Sequence, residues 1–141
     1  MLNKMKLALP AQSKNEALTR SIVGAFAVEL PFTVEDINDV KTAVSEAVTN
    51  AIVHGYNSIE ENEVVIECEL YEDRLVVKIQ DFGVGISDID EAMQPFFTTK
   101  PEQERSGMGF TIMNAFMDSL EVVSTLGKGT VVTFTKKVSN V

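Results

Sequence analysis

The sequence predicts an α+β, two-layer sandwich in which three main helices pack on one face of a mixed, mostly antiparallel sheet. Two observations predict it. Apolar residues recur at helical spacing in three segments, and they alternate with polar residues in shorter segments between and around them. The 141 residues, 45% of them hydrophobic, can build a core. We therefore expect a single domain over residues 1–141.

The N-terminal part predicts a strand followed by a helix. Residues 1–9 alternate weakly and predict a strand before Pro10. Ser13 and Glu16 have the spacing of a capping box, and the helix that they open should end near Pro31. The apolar residues on one side of this helix are Leu18, Ile22, Ala25 and Phe26.

A longer helix is predicted over residues 34–54. Thr33 and Asp36 resemble an N-cap, and Gly55 should end the helix. One face carries the apolar residues Ile37, Val40, Val44, Val48 and Ala51. The opposite side carries the polar residues Asp39, Thr42, Glu46 and Asn50.

The rest of the chain predicts four strands and one more helix. Residues 63–70 and 75–80 alternate, with a turn between them, and residues 122–126 and 130–136 predict a second hairpin. Between the hairpins, residues 82–109 have no strong period, and a loop this long is uncommon unless it is functional. The helix over residues 110–120 should turn four residues inward: Ile112, Met113, Phe116 and Met117.

The charge is acidic and concentrated. The net charge is −9, and residues 33–73 hold eleven carboxylates against one cation, Lys41. Duplex nucleic acid is therefore a poor ligand, whereas an acidic surface either stays solvated or steers a basic protein partner. The single cysteine, Cys68, lies in an alternating run and should be core. With no signal-peptide layout and no membrane-span-length apolar run, we expect a soluble cytoplasmic protein without membrane contacts.

Glu46 and Asn50 lie one turn apart and project from the same side of the long helix. An Asn carbonyl can be the one protein ligand of a magnesium ion that also binds nucleotide phosphates. A carboxylate one turn earlier could act as a general base toward a hydroxyl. By itself, the pair is more typical of a solvated polar helix face.

Residues 81–85 (DFGVG) follow a predicted strand, and a buried Asp81 could accept a hydrogen bond from an adenine amino group. Farther on, residues 106–110 (SGMGF) open a helix, and its free N–H groups favour anions, with Lys100 and Arg105 nearby. The spacing is not that of a Walker P-loop. Each segment alone also fits an ordinary turn, as does the hairpin at residues 127–130 (GKGT).

The order of these segments resembles the GHKL superfamily of ATPases, whose domain has the Bergerat fold. Residues 45–56 (SEAVTNAIVHGY), 95–101 (PFFTTKP) and 106–113 (SGMGFTIM) are similar to the anti-sigma factor serine kinases, in particular to their sporulation branch. The resemblance covers about residues 40–135.

The resemblance implies a role for each matching residue. Glu46 would be the general base and Asn50 the Mg²⁺ ligand. His54, two turns after Glu46 on the same helix, either lines the site or packs at the helix end. Asp81 would bind adenine, with Thr130 close by, above a turn formed by Gly83, Val84, Gly85 and Ile86. A phosphate lid around ATP or ADP would contain Thr98, Thr99, Lys100, Arg105, Ser106, Gly107, Met108, Gly109 and Phe110.

The resemblance also implies a homodimer that binds a sigma factor and phosphorylates a serine on an anti-anti-sigma factor, with a lid that responds to the nucleotide. The N-terminal strand and helix could serve dimer or partner contacts, and Arg20 is placed to bind an acidic partner or simply to be solvated. A nucleotide-dependent binding module without kinase activity and a stand-alone ATPase remain alternatives. His54 as a phosphoacceptor is disfavoured, because sensor kinases carry that histidine on separate helices.

Overall fold

The computed structural model describes residues 1–55, 62–86 and 109–139. The predicted α+β class is confirmed. The elements are β1 (Asn3–Pro10), α1 (Lys14–Ala27), α2 (Val34–Asn50) continued by a π-helical turn (Ala51–Gly55), β2 (Glu63–Leu70), β3 (Arg74–Asp81), α3 (Gly109–Phe116), β4 (Ser119–Thr125) and β5 (Gly129–Lys137). No helix within these ranges has the length and apolar character needed to cross a membrane.

The five strands form one sheet in the order β1-β2-β3-β5-β4. All four pairings between these described strands are antiparallel, so the parallel component implied by a mixed sheet is not found among them. A β1–β2–β3 meander and the β4–β5 hairpin are joined because β5 pairs with β3.

The inner face of the sheet consists of cross-strand rows, because side chains two residues apart point to the same side. Two apolar rows are Val77–Phe134–Leu120 and Ile79–Val132–Val122. The next row, at the end of β3, is Asp81–Thr130–Ser124, which we call the polar row. The core therefore gives way to polar groups at one end of the sheet.

Helix α2 packs against this core as its sequence predicts. The Thr33 hydroxyl accepts the Asp36 N–H at 3.0 Å, and the Asp36 carboxylate accepts the Thr33 N–H at 3.1 Å, which completes the predicted capping box. Val40, Val44 and Val48 are almost fully buried. Cys68 on β2 is also core, and its burial raises the pKa of the thiol to about 12.

Helix α1 differs from its prediction in two ways. Ser13 has helical backbone angles and its side chain makes no capping bond, so the predicted capping box is wrong. The carboxylate of Glu16 instead accepts a hydrogen bond from the Ser45 hydroxyl on α2. The predicted apolar side is also wrong, because Leu18 is 46% exposed. The residues that α1 buries are Asn15, Thr19, Val23, Gly24 and Ala27.

Close helix packing explains this choice of face. A Cβ at Gly24 would lie 3.0 Å from the Lys41 side chain of α2, so small residues bring the two helices together. The polar groups that this buries are satisfied locally. The Asn15 amide donates to the Pro10 carbonyl at 2.8 Å, and the Thr19 hydroxyl donates to the Asn15 carbonyl at 2.7 Å.

Helix α3 ends at Phe116 rather than at residue 120, and β4 begins at Ser119 rather than at residue 122. The Lys136 ammonium donates to the Phe116 carbonyl at 2.7 Å and lies 3.5 Å from Asp39 and 3.9 Å from Asp36. A cation at a helix C-terminus is favourable. Lys136 thus joins the end of α3 to the beginning of α2.

Candidate functional site

The polar row forms the base of the candidate site. Asp81 and Thr130 are 6% and 7% exposed and lie side by side on β3 and β5. Burial raises the pKa of the Asp81 carboxyl, and hydrogen bonds from the Gly83 and Thr130 N–H groups partly oppose that rise. Asp81 is therefore a buried acceptor at the end of a strand, as its sequence position predicts.

The end of α2 packs directly against Asp81. A Cβ at Gly55 would lie 2.7 Å from the Asp81 carboxyl carbon, and a Cβ at Gly83 would overlap the Gly55 carbonyl. That carbonyl accepts the Val84 N–H at 2.9 Å. A π-helical turn is often found at functional sites. Here the turn carries the Gly55 carbonyl that is bonded to the segment after Asp81.

The β4–β5 hairpin holds the other side of residues 82–86, which we call the site loop. The Val84 carbonyl accepts the Gly127 N–H at 2.9 Å, and the Ser124 hydroxyl accepts the Ile86 N–H at 2.7 Å. Gly85 has φ +79°, which favours glycine, and a Cβ there would overlap the Thr125 carbonyl. The site loop is therefore held between α2 and the hairpin.

Glu46, Asn50 and His54 follow one half-buried strip of α2 and its π-helical turn. The strip leads to Gly55, and so to the contact with Asp81. Their helical spacing brings Glu46 and Asn50 to one side, as predicted. His54 lies in the π-helical turn, next to Gly55, and its role at the site stays a prediction.

The side chains that could bind a metal ion limit which metal fits the candidate site. The part of the chain that the structure describes contains no group of three or more His, Cys, Asp or Glu side chains that could enclose a metal ion. Asn50 offers one hard oxygen ligand on a half-buried helix face. Such a donor fits Mg²⁺ that takes its other ligands from phosphates and water, and it does not fit a cation held by protein alone.

The predicted phosphate lid lies mostly outside the described residues, and this applies to Thr98, Thr99, Lys100, Arg105, Ser106, Gly107 and Met108. The last two lid residues, Gly109 and Phe110, lie in α3, so the predicted helix in this part of the chain is confirmed. Gly109 is buried, and Phe110 packs against the core.

Arg20 lies on α1 at a distance in sequence from the polar row, with a side chain that is 42% exposed. It is not free, because its Nε lies 3.8 Å from the Glu16 carboxylate. Glu16 in turn accepts the hydrogen bond from Ser45, which precedes Glu46. Arg20 is therefore linked through Glu16 to Ser45, the residue before the predicted base.

Ser124 is a site residue that the sequence reasoning missed. It bonds the site loop and lies beside Thr130 in the polar row. One feature of the sequence could have identified it. Ser124 takes the inward position that follows Leu120 and Val122 on β4, where a third apolar residue is expected.

The sheet, the helices and the polar row define a class of protein. Residues 9–136 match the model of the histidine kinase-like ATPase domain, a family of nucleotide-binding domains. Two curated relatives are named anti-sigma F factor. One, from Clostridium perfringens (strain SM101), is 51% identical over 139 residues, 99% of each chain. The other, from Clostridium beijerinckii, is 53% identical over 135 residues, 96% of this chain and 94% of that one. The chain belongs to the anti-sigma F factor family of these ATPase domains.

Solved structures show the same fold at lower identity. The RsbU and RsbW domains of a Mycobacterium tuberculosis protein match 96% of this chain with a TM-score of 0.68 and 18% identity, and this chain spans 32% of that longer one. A histidine kinase domain from a blue-light activated kinase of Erythrobacter litoralis matches 75% of this chain and 46% of that one, with a TM-score of 0.55 and 23% identity. These likenesses support the fold.

Proposed function

We propose that this protein is an anti-sigma factor that is also a protein serine kinase. Using Mg²⁺ and ATP, it phosphorylates a serine on a small anti-anti-sigma factor, and as a homodimer it binds and inhibits a sporulation sigma factor. The relatives' name supports the sigma factor as partner. The observation that carries the kinase activity is the carboxylate of Glu46, one turn before Asn50, on the strip of α2 that leads to Asp81.

The residues divide the work of binding ATP. Asp81 would accept a hydrogen bond from the adenine amino group, with Thr130 beside it and the site loop below the base. Asn50 would hold Mg²⁺ through its side-chain carbonyl. Lys100, Arg105 and the N–H groups around Gly107 and Gly109 would surround the phosphates, as the resemblance implies.

Phosphoryl transfer needs positioning and charge stabilisation more than covalent chemistry. Glu46 would orient the serine hydroxyl of the partner and accept its proton. The serine oxygen then bonds to the γ-phosphorus while the bond from that phosphorus to the bridging oxygen breaks, and ADP leaves with the electron pair. Bound Mg²⁺ would supply positive charge against the phosphates.

The partner surface is assigned to β1 and α1. Leu18 is exposed on α1, and Arg20 is half-exposed close to it in sequence. An acidic group of a partner would bind Arg20 in exchange for its pairing with Glu16. Because ion pairs between exposed groups are weak, this exchange costs little.

The kinase proposal is tested with radiolabelled Mg-ATP and the candidate anti-anti-sigma proteins of the same organism. Glu46→Gln should abolish phosphoserine formation and leave nucleotide affinity unchanged. Glu35→Gln is the matched control, because Glu35 lies in the first turn of the same helix and is exposed. Equal transfer by Glu46→Gln and wild type would remove Glu46 as the base. Nucleotide binding with no transfer to any candidate would favour a regulatory module without kinase activity. Steady ATP hydrolysis without a protein substrate would favour a stand-alone ATPase.

The partner proposal is tested by copurification from the native organism and by sedimentation of the purified protein. We expect a dimer and a captured sigma factor, with weaker capture by Arg20→Ala. Lys14→Ala, at the exposed start of the same helix, is the control. A monomer that captures no sigma factor would contradict the proposal.

A further inference from the structure

Ser124 joins three parts of the candidate site through a single hydroxyl. Its Oγ accepts the Ile86 N–H at 2.7 Å, lies 3.1 Å from the Gly129 carbonyl oxygen, and lies 2.8 Å from the Thr130 hydroxyl oxygen. Ser124 is half-buried at the end of β4, on the same face as Asp81 and Thr130.

The number of hydrogens restricts how these bonds are oriented. A serine hydroxyl donates one hydrogen and accepts at two lone pairs. The Gly129 carbonyl can only accept, so Ser124 must give its hydrogen there if that contact is a hydrogen bond. The Thr130 hydroxyl must then donate to Ser124. This arrangement satisfies all three contacts, whereas a Ser124 hydrogen aimed at Thr130 would lose the bond to Gly129.

With its own hydrogen bound to Ser124, Thr130 has only lone pairs left to offer a ligand. Its neighbour in the polar row, the ionised Asp81 carboxylate, also only accepts. The two side chains together then form an acceptor pair. Such a pair favours a ligand group that carries hydrogens, such as an amino group, and disfavours a carbonyl oxygen.

We propose that Ser124 is a positioning residue that holds the Thr130 hydroxyl as an acceptor toward the nucleotide base, and so increases the preference for a base with an amino group over one with a keto group at the same position. This role rests on nucleotide binding at Asp81, the function proposed above. Ser124 does not touch the base in this arrangement and acts through Thr130.

The bond from Ile86 means that Ser124 also supports the site loop. Loss of that support would weaken binding of every nucleotide by a similar factor. A change in the ratio of affinities between two bases is therefore the measurement that separates positioning of Thr130 from support of the loop.

The experiment compares ADP with IDP, in which a keto group replaces the amino group of adenine, by calorimetric titration. We expect wild type to prefer ADP. Ser124→Ala frees the Thr130 hydroxyl to rotate and donate to the keto oxygen, so the ADP-to-IDP affinity ratio should fall about threefold to tenfold, the worth of one ordinary hydrogen bond. Ser124→Thr keeps a hydroxyl and should keep the ratio. Ser119→Ala, exposed at the other end of β4, is the control.

A second variant tests the same effect on base selectivity at Thr130 rather than at Ser124. Thr130→Val removes the hydroxyl itself, so it should lower the ratio, and adding Ser124→Ala to it should cause no further change. Equal losses of ADP and IDP affinity in Ser124→Ala, with an unchanged ratio, would overturn the role in selectivity. A wild-type protein that binds neither nucleotide would instead overturn the proposed function, and this role with it.

Discussion

The apolar rows and the polar row lie on the same face of the same three strands, yet the apolar rows form the core and the polar row forms the base of the candidate site. Val132 and Thr130 are two residues apart on β5, have nearly the same shape, and are both buried. Val132 packs in the core, whereas Thr130 bonds to Ser124 beside Asp81. Strand alternation therefore sets which face of the sheet a side chain lies on. The position along the strand then decides whether that side chain packs in the core or contributes to the candidate site.

The largest effect is expected from Phe134→Ala, in an apolar row. Phe134 is 1% exposed, and removing a buried aromatic ring costs about 3–5 kcal/mol of unfolding free energy. Urea denaturation measures this loss. Val123→Ala, on the exposed face of β4, should change stability by less than about 0.5 kcal/mol. We expect the folded fraction of Phe134→Ala to bind ADP with wild-type affinity. A lower ADP affinity within that fraction would contradict the view that the apolar rows serve stability alone.

Asp81→Asn should act on binding rather than on the core. The Gly83 and Thr130 N–H groups bond the carboxyl group, so an amide there would keep its oxygen toward them and turn its NH₂ toward the base. Losing a hydrogen bond to a charged group costs about 1.5–3 kcal/mol, so ADP affinity should fall about 10-fold to 150-fold by calorimetry. Asp73→Asn, in the exposed turn between β2 and β3, should bind like wild type.

Two reciprocal substitutions, at Val132 and at Thr130, test the difference between the rows directly. Val132→Thr buries a hydroxyl in an apolar row and should cost about 1–3 kcal/mol of unfolding free energy, measured by denaturation. Thr130→Val has the opposite profile, with a smaller loss of stability and a clear loss of adenine selectivity. Similar profiles for the two variants would mean that the rows are not functionally distinct.

The smallest effect is a pH dependence. Since burial raises the pKa of Asp81 above its ordinary value of 3.8, the folded chain binds more protons than the unfolded chain between the two values. The contribution of Asp81 to stability therefore falls as pH rises through that window and is constant above it. The unfolding free energy of the nucleotide-free wild type, minus that of Asp81→Asn, should decline from pH 3 toward neutrality. A difference that rises with pH would show that the two backbone hydrogen bonds outweigh burial.

Much of the fold could be predicted because local patterns and burial agree. The Thr33–Asp36 capping box, the valines of α2 and the alternation of β2 and β3 all occur where the sequence places them. The turn after Asp81 follows from glycine and strand-end signals, and the presence of α3 follows from helical spacing of apolar residues. These features depend on neighbours in sequence, which a pattern records directly.

Most of the helices and strands and the face of each strand follow from the sequence pattern, because periods of 3.6 and 2 residues are local properties. The burial of Asn15 and Thr19 on α1 instead of Leu18 depends on tertiary packing, since the close approach to α2 at Gly24 favours small residues. Tertiary packing also decides that Glu16 bonds Ser45 instead of capping its own helix. Ser124 gained its place beside Thr130 from strand register. Contacts between distant segments depend on packing, which no single segment encodes.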